Sequence, residues 1–97
     1  MDASTFTVTE NLTTGRFELQ RDGELVSFAA YHEVGANVLV PHVETLAQHR
    51  GQDNAARLMA GLLDQLRASG RTITPICSFA RDYLQAHPEQ HDLVHRR

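Results

Sequence analysis

The sequence predicts an α+β domain: a four-stranded antiparallel meander, a fifth strand parallel to the fourth, and two helices. Three observations predict it. From Phe6 to Val43 apolar and polar residues alternate between turn signals, the period of half-buried strands. From Asn54 the apolar residues recur at helical spacing. A short β-branched run, Thr72-Ile-Thr-Pro-Ile76, then follows the helix, and strand, crossover helix and strand imply a right-handed parallel pair. At 97 residues and 41% apolar, the chain supports one domain, 1–97, with a small core.

The elements follow in order. Phe6-Thr-Val-Thr-Glu10 alternates and is rich in β-branched residues. Turn chemistry from Asn11 to Gly15 leads into Arg16-Phe-Glu-Leu-Gln-Arg21, with Phe17 and Leu19 on one face. Asp22-Gly23 is a two-residue hairpin signal, because both residues tolerate positive φ. The third strand, Leu25 to Glu33, is the most apolar and is expected mid-sheet. Gly35-Ala-Asn37 turns the chain into the fourth strand, Val38-Leu-Val-Pro-His-Val43. Pro41 removes a ladder donor, so it marks either a bulge or splayed position or the end of the strand. Leu58, Met59, Leu62, Leu63 and Leu66 make one helical face, with Asp53 or Asn54 as N-cap and Ser69-Gly70 as terminator. Thr72 to Ile76 is the fifth strand, interrupted by Pro75. Ser78 is expected to cap a second helix, Phe79 to about Ala86, stopped before Pro88. The tail from His87 is polar except for Leu93 and Val94, which would pin it to the core.

Composition narrows the function classes. The formal net charge is −3 and no face concentrates arginine, which argues against nucleic-acid binding. The basic tail His95-Arg96-Arg97 reads as a solvated terminus. A single cysteine excludes an internal disulfide and leaves a free thiol, as suits a reducing cytosol. Met1-Asp-Ala-Ser-Thr5 lacks the basic start and apolar run of a leader, and no stretch approaches a membrane span. The expectation is a soluble cytoplasmic protein, with no membrane partner.

Four constellations could carry chemistry. The turn Gln48-His-Arg-Gly-Gln-Asp-Asn-Ala55 ends a strand and opens a helix, where unpaired N–H groups, the helix dipole and Arg50 would favour an anion such as a pyrophosphate. The alternative is an ordinary polar loop. Cys77 closes the fifth strand at the same sheet end as His42 and Glu44. A thiol reacts as thiolate and needs a base, for which an imidazole within hydrogen-bond reach is suited. The alternative is a small buried apolar residue. His87, His91 and His95 repeat every four residues, but Pro88 interrupts them and no cysteine partner accompanies them, so no metal site is expected. Neither a serine-hydrolase elbow nor a glycine-rich nucleotide fingerprint is present.

Taken together, Arg16-Phe-Glu-Leu with Asp22-Gly23, Ala30-Tyr31, His42-Val-Glu44, Arg50-Gly-Gln52, Arg57-Leu-Met59, Pro75-Ile-Cys-Ser-Phe79 with Tyr83, His87-Pro-Glu89 and Asp92-Leu-Val94 resemble the GCN5-related N-acetyltransferase (GNAT) superfamily. The likeness is to its short YjdJ-type subgroup. It implies a GNAT-like fold and an acetyl-CoA-dependent N-acetyltransferase acting on a small-molecule or protein amine, with a monomer expected. Acetyl-CoA would lie where the fourth and fifth strands splay apart. The resemblance puts Val43 and Thr45 of the fourth strand beside the pantetheine, and Arg50, Gly51, Gln52, Asp53, Asn54 and Ala55 around the pyrophosphate. Cys77, His42 and Glu44 are the catalytic candidates: His42 or Glu44 as base for direct attack by the amine, or Cys77 as a covalent acetyl carrier. A non-catalytic module that has lost the cofactor is the alternative. The departure behind it is Asp53, which stands where the superfamily turn has glycine. Like charges roughly 4–5 Å apart repel by roughly 3–4 kcal/mol at an effective dielectric near 20. Val43 also replaces the subgroup's usual threonine.

Overall fold

The computed structural model describes residues 4–96; Met1–Ala3 and Arg97, and with them part of the polar stretch Met1–Thr5 and the end of the basic tail, lie outside the described residues. The elements are β1 (Phe6–Asn11), β2 (Arg16–Arg21), β3 (Glu24–Val34), β4 (Asn37–Thr45), α1 (Asn54–Ser69), β5 (Thr72–Pro75) and α2 (Ser78–Ala86). Short 3-10 turns occupy Ala47–His49 and Pro88–Leu93. One sheet runs in the order β1-β2-β3-β4-β5, antiparallel except for the parallel β4–β5 pair. The expected α+β meander and the central place of the third strand are both borne out. Asp22 and Gly23 turn the β2–β3 hairpin at φ 52° and 85°, so both adopt the left-handed conformation that the dipeptide tolerates.

Two bulges shape the sheet. Leu19 pairs with Ser27 but Gln20 with Leu25, leaving Val26 as an extra residue in β3. Ala30 pairs with His42 but His32 with Leu39, so Tyr31 faces both Val40 and Pro41. Pro41 therefore marks a bulge, where a missing N–H costs the ladder nothing.

The sheet buries one face. Phe17, Leu19, Val38, Val40 and Ile73 pack against Leu58, Met59, Leu62, Leu63 and Leu66 of α1, all essentially without solvent exposure. Ala80 and Leu84 of α2 join this core, and Leu93 and Val94 anchor the tail to it as the sequence predicts. On the opposite face, Glu18 is nearly buried beneath Arg16, Asn11 and Thr14, all of which donate to its carboxylate. Burial alone would raise its pKa; the bonds from Arg16 and Asn11 outweigh that and hold it below the ordinary value.

Helix α1 crosses β1 at Gly61. A Cβ there would overlap the Cγ2 of Val8 and come within 2.7 Å of its Cβ. Val8 is β-branched and held in the ladder opposite Leu19, so it cannot swing away. Gly61→Ala is therefore expected to destabilise the fold by about 1–2 kcal/mol, even after the roughly 1 kcal/mol that alanine gains in a helix. Urea denaturation checks this; an unchanged or raised midpoint would show that the helix can lift without loss.

Candidate active site

The β4–β5 pairing ends at Val40 and Pro75, yet β4 continues to Thr45. The Val40 carbonyl accepts from both Ile76 N–H (3.0 Å) and Cys77 N–H (3.1 Å), and beyond it the two chains diverge. Val40 and Cys77 thus form the vertex of a V, with the last five residues of β4 along one arm. The bulge at Pro41 turns β4 as it leaves the pair.

At the open end of the V lies the Arg50–Ala55 turn. Gly51 and Asp53 both have positive φ, 77° and 61°, and the chain then enters α1. Among the described residues, no acceptor engages the N–H groups of Gly51, Gln52, Asp53, Asn54, Ala55 or Ala56. They include the unpaired donors that begin any helix. Thr45, His49, Arg50, Gly51, Asp53, Asn54, Ala55, Ala56 and Phe79 line a cavity of about 250 Å³ at this point. Arg50 Nε donates to the Thr45 carbonyl at 3.2 Å, which fixes the arginine against the end of β4 and leaves its two terminal amino groups available.

The turn is held rigidly. Asn54, only 2% exposed, donates from Nδ2 to the His49 carbonyl and accepts at Oδ1 from Arg57. Arg57 also donates to the Gln52 carbonyl and stacks over the Phe6 ring at 4.4 Å. His49 Nε2 donates to Glu24, tying the turn to the β2–β3 hairpin. These bonds set the amide directions in advance, which reduces the ordering cost of binding an anion.

Two capping expectations need correction. Asp53 takes the N-cap position of α1 but makes no side-chain cap bond, because its left-handed backbone turns the carboxylate away from the first N–H groups; Asn54 is already helical. For α2 the cap is Cys77, not Ser78. Bonding of its N–H to Val40 leaves Cys77 extended (φ −72°, ψ 153°), and its Sγ accepts from Ala80 N–H at 3.4 Å.

The catalytic candidates divide between two faces. Cys77 is half-buried and packs against the core beside α2. His42 and Glu44 pair across the sheet with Ala30 and Phe28 on the uncovered face, where the His42 ring lies 6.1 Å from that of Phe28. His42 Nε2 donates to Glu44 Oε1 at 3.0 Å, which leaves Nδ1 as the imidazole's open acceptor in the neutral ring. Among the described residues no hydrogen bond joins His42 to Cys77. Val43 faces the core side, half-buried, and the Thr45 hydroxyl shares a 3.1 Å hydrogen bond with Ser27. Gln52 does not line the cavity; its carbonyl serves Arg57.

Phe79 is a site feature that the sequence reading missed, whereas Asn54 was expected at the turn and only the bracing role of its side chain was missed. Phe79 is 38% exposed on the first turn of α2 and lines the cavity together with Arg50. Its place two residues after a strand-ending cysteine was the available signal. The role of Asn54 had none, since it depends on a carbonyl five residues back.

The sequence profile of the family described as GCN5-related N-acetyl-transferase matches residues 16–93, most of the chain. The chain belongs to this family. Two solved structures share the fold of this GCN5-related chain. One is the NMR solution structure of a GCN5-like protein from Staphylococcus aureus described as a candidate N-acetyltransferase: TM-score 0.69, 16% identity, 94% of this chain and 89% of that one. The other is the crystal structure of the ribosomal-protein-S18-alanine N-acetyltransferase from Escherichia coli: TM-score 0.61, 17% identity, 73% of this chain. The match spans about half, 49%, of that enzyme. None of the curated proteins compared with the chain matches it. No helix among the described residues is long and apolar enough to cross a membrane.

Proposed function

We propose that this chain is an acetyl-CoA-dependent N-acetyltransferase of the cytoplasm, acting on a small-molecule or protein amine. The observation that carries the reading is the splay of β4 from β5, leading from Cys77 at its vertex to the rigid turn of unpaired amides at its mouth. The residues fit the cosubstrate. The amides of 51–56 and the Arg50 guanidinium suit a pyrophosphate, and the unpaired edge of β4 suits the amide groups of a pantetheine arm. Acetyl-CoA would bring the thioester to the vertex.

Two routes follow. In the first, the amine attacks the thioester carbonyl, the CoA thiolate leaves, and His42, oriented by Glu44, takes the amine proton at Nδ1. In the second, the Cys77 thiolate attacks the thioester carbonyl first, forming an acetyl–Sγ bond as the CoA thiolate leaves, and the amine then takes the acetyl group, loses its proton and releases the Cys77 thiolate. Half-burial and a core-facing Sγ favour a shielded acyl-cysteine, whereas the His42–Glu44 pair favours direct transfer. Intact-mass measurement after incubation with acetyl-CoA separates them. The covalent route gives one acetyl adduct, absent in Cys77→Ser; turnover without an adduct excludes it.

The reading is tested by titrating acetyl-CoA and following heat and amide shifts. Saturable binding with shifts at Gly51–Ala56 is expected, and silence to millimolar concentration would leave only the non-catalytic module. Asp53 weakens this site less than the close-range estimate suggests. Its side chain is exposed, so water screens it, and about 5 Å at a dielectric near 80 gives only about 1 kcal/mol. Asp53→Gly is expected to tighten acetyl-CoA about fivefold. Glycine also relieves the left-handed backbone at φ 61°, stabilising the fold by about 1 kcal/mol. A variant no tighter and no more stable would contradict both arguments.

A further inference from the structure

A second hollow lies on the other side of α2, sharing no lining residue with the turn cavity. It encloses about 450 Å³ between the end of β5, α2 and the tail, and is lined by Pro75, Arg81, Leu84, Gln85, His91, Val94 and Arg96. Arg81, Leu84 and Gln85 form one stripe of α2 by their i, i+3, i+4 spacing. The tail closes the far side because Val94 bridges in parallel to Ile73, and His95 N–H bonds to the Ile73 carbonyl.

The arginines decide what this hollow suits. Of the eight described arginines, six have partners. Arg16 pairs with Glu18, Arg67 with Asp92 and Arg71 with Glu10 and Glu33. Arg50 and Arg57 donate to backbone carbonyls, and Arg21 donates to Ser4. Arg81 and Arg96 alone have none, and both line this hollow. Among the described residues no acidic side chain lines it; Asp92, next to His91 in the chain, is already held by Arg67. The floor is apolar, from Pro75, Leu84 and Val94. His91 Nε2 donates to the Leu84 carbonyl at 2.6 Å, which fixes its ring at the wall.

We propose that this hollow binds a carboxylate carried on an apolar body, the two guanidiniums holding the carboxylate and Pro75, Leu84 and Val94 covering the body. Guanidinium groups match a carboxylate's planar geometry, and the volume is that of a small-molecule site. A free organic acid and the C-terminal carboxylate of a peptide ending in an apolar residue share this chemistry. The assignment is independent of the acetyltransferase reading, because it uses none of that site's residues.

The probe is 3-phenylpropionate, titrated to millimolar concentration into the isotope-labelled chain while amide shifts are followed. Saturable shifts at Leu84, Gln85 and Val94 are expected, with none from 3-phenylpropanamide, which has the same body without the charge. Arg81→Ala and Arg96→Ala are each expected to weaken binding about five- to tenfold. Both residues are exposed and unpaired, so an unchanged amide spectrum elsewhere verifies the fold. An N-acetylated tripeptide ending in phenylalanine, as free acid and as amide, separates the sources: binding of the free-acid peptide assigns a chain terminus, and binding of 3-phenylpropionate alone assigns a free acid. The proposal is overturned if neither acid gives saturable shifts here, if the amides bind equally well, or if the double variant binds unchanged.

Discussion

Arg71→Ala is expected to cost about 3 kcal/mol of folding free energy, the scale for stranding a largely buried carboxylate. Arg71 grips both oxygens of Glu10, at 2.9 and 3.0 Å, and also donates to Glu33 and to the Ser69 hydroxyl. Tyr31 adds a 2.6 Å bond to Glu10, so one arginine ties β1, β3 and the entry to β5 together. The side chains of Arg71 and Glu10 are only 15% and 18% exposed, so water replaces the lost partner poorly. The bonds from Arg71, opposed by burial and helped by Tyr31, hold the Glu10 carboxyl below its ordinary value of 4.5. The stability from this pair is therefore fully present above that value and is lost as pH falls through the lower, folded value. Urea melts of wild type and variant across the acid range check both points. The gap between them should be widest near neutrality and narrow as the medium becomes acid; a gap that is constant, or absent, would remove the ion pair from the account.

Arg50→Ala is expected to weaken acetyl-CoA by about ten- to hundredfold, the range for losing charge-assisted bonds to phosphate. The Arg50 head is oriented before any ligand arrives, by its bond to the Thr45 carbonyl, so removing it also frees the end of β4. Arg50→Lys keeps the charge but lacks the fork that reaches the carbonyl and phosphate together, and should fall between wild type and alanine. Calorimetry reads the affinities, and amide spectra verify the fold. If alanine binds as tightly as arginine, the pyrophosphate does not sit in this turn.

The two ends of the V explain why some site residues were legible and others were not. Arg50, Gly51 and the helix start at Asn54 are consecutive in the chain, and a polar run before an amphipathic helix announces unpaired amides by itself. Cys77, His42 and Glu44 were found as residue types near strand ends, but their faces depend on the bulge at Pro41, which sets the side-chain alternation along the rest of β4. The cap of α2 went to Cys77 over Ser78 because the Val40 carbonyl, thirty-seven positions earlier, takes the Cys77 N–H and leaves that residue extended. The Asp53 carboxylate likewise follows its backbone: with φ at 61° it cannot reach the N–H groups that an aspartate in a β conformation would cap.

By itself, the sequence determined the order and type of the elements, the β2–β3 hairpin, the apolar stripe of α1 and the turn that begins it. Each of these is written in periods and dipeptides that act over a few residues. Only the tertiary structure decided where β4 parts from β5, which face each catalytic candidate takes, that Phe79 walls the turn cavity, and that Arg81 and Arg96 converge unpaired on one hollow. Those features arise where segments distant in the chain compete for the same carbonyls and carboxylates, and the outcome of that competition has no local signature.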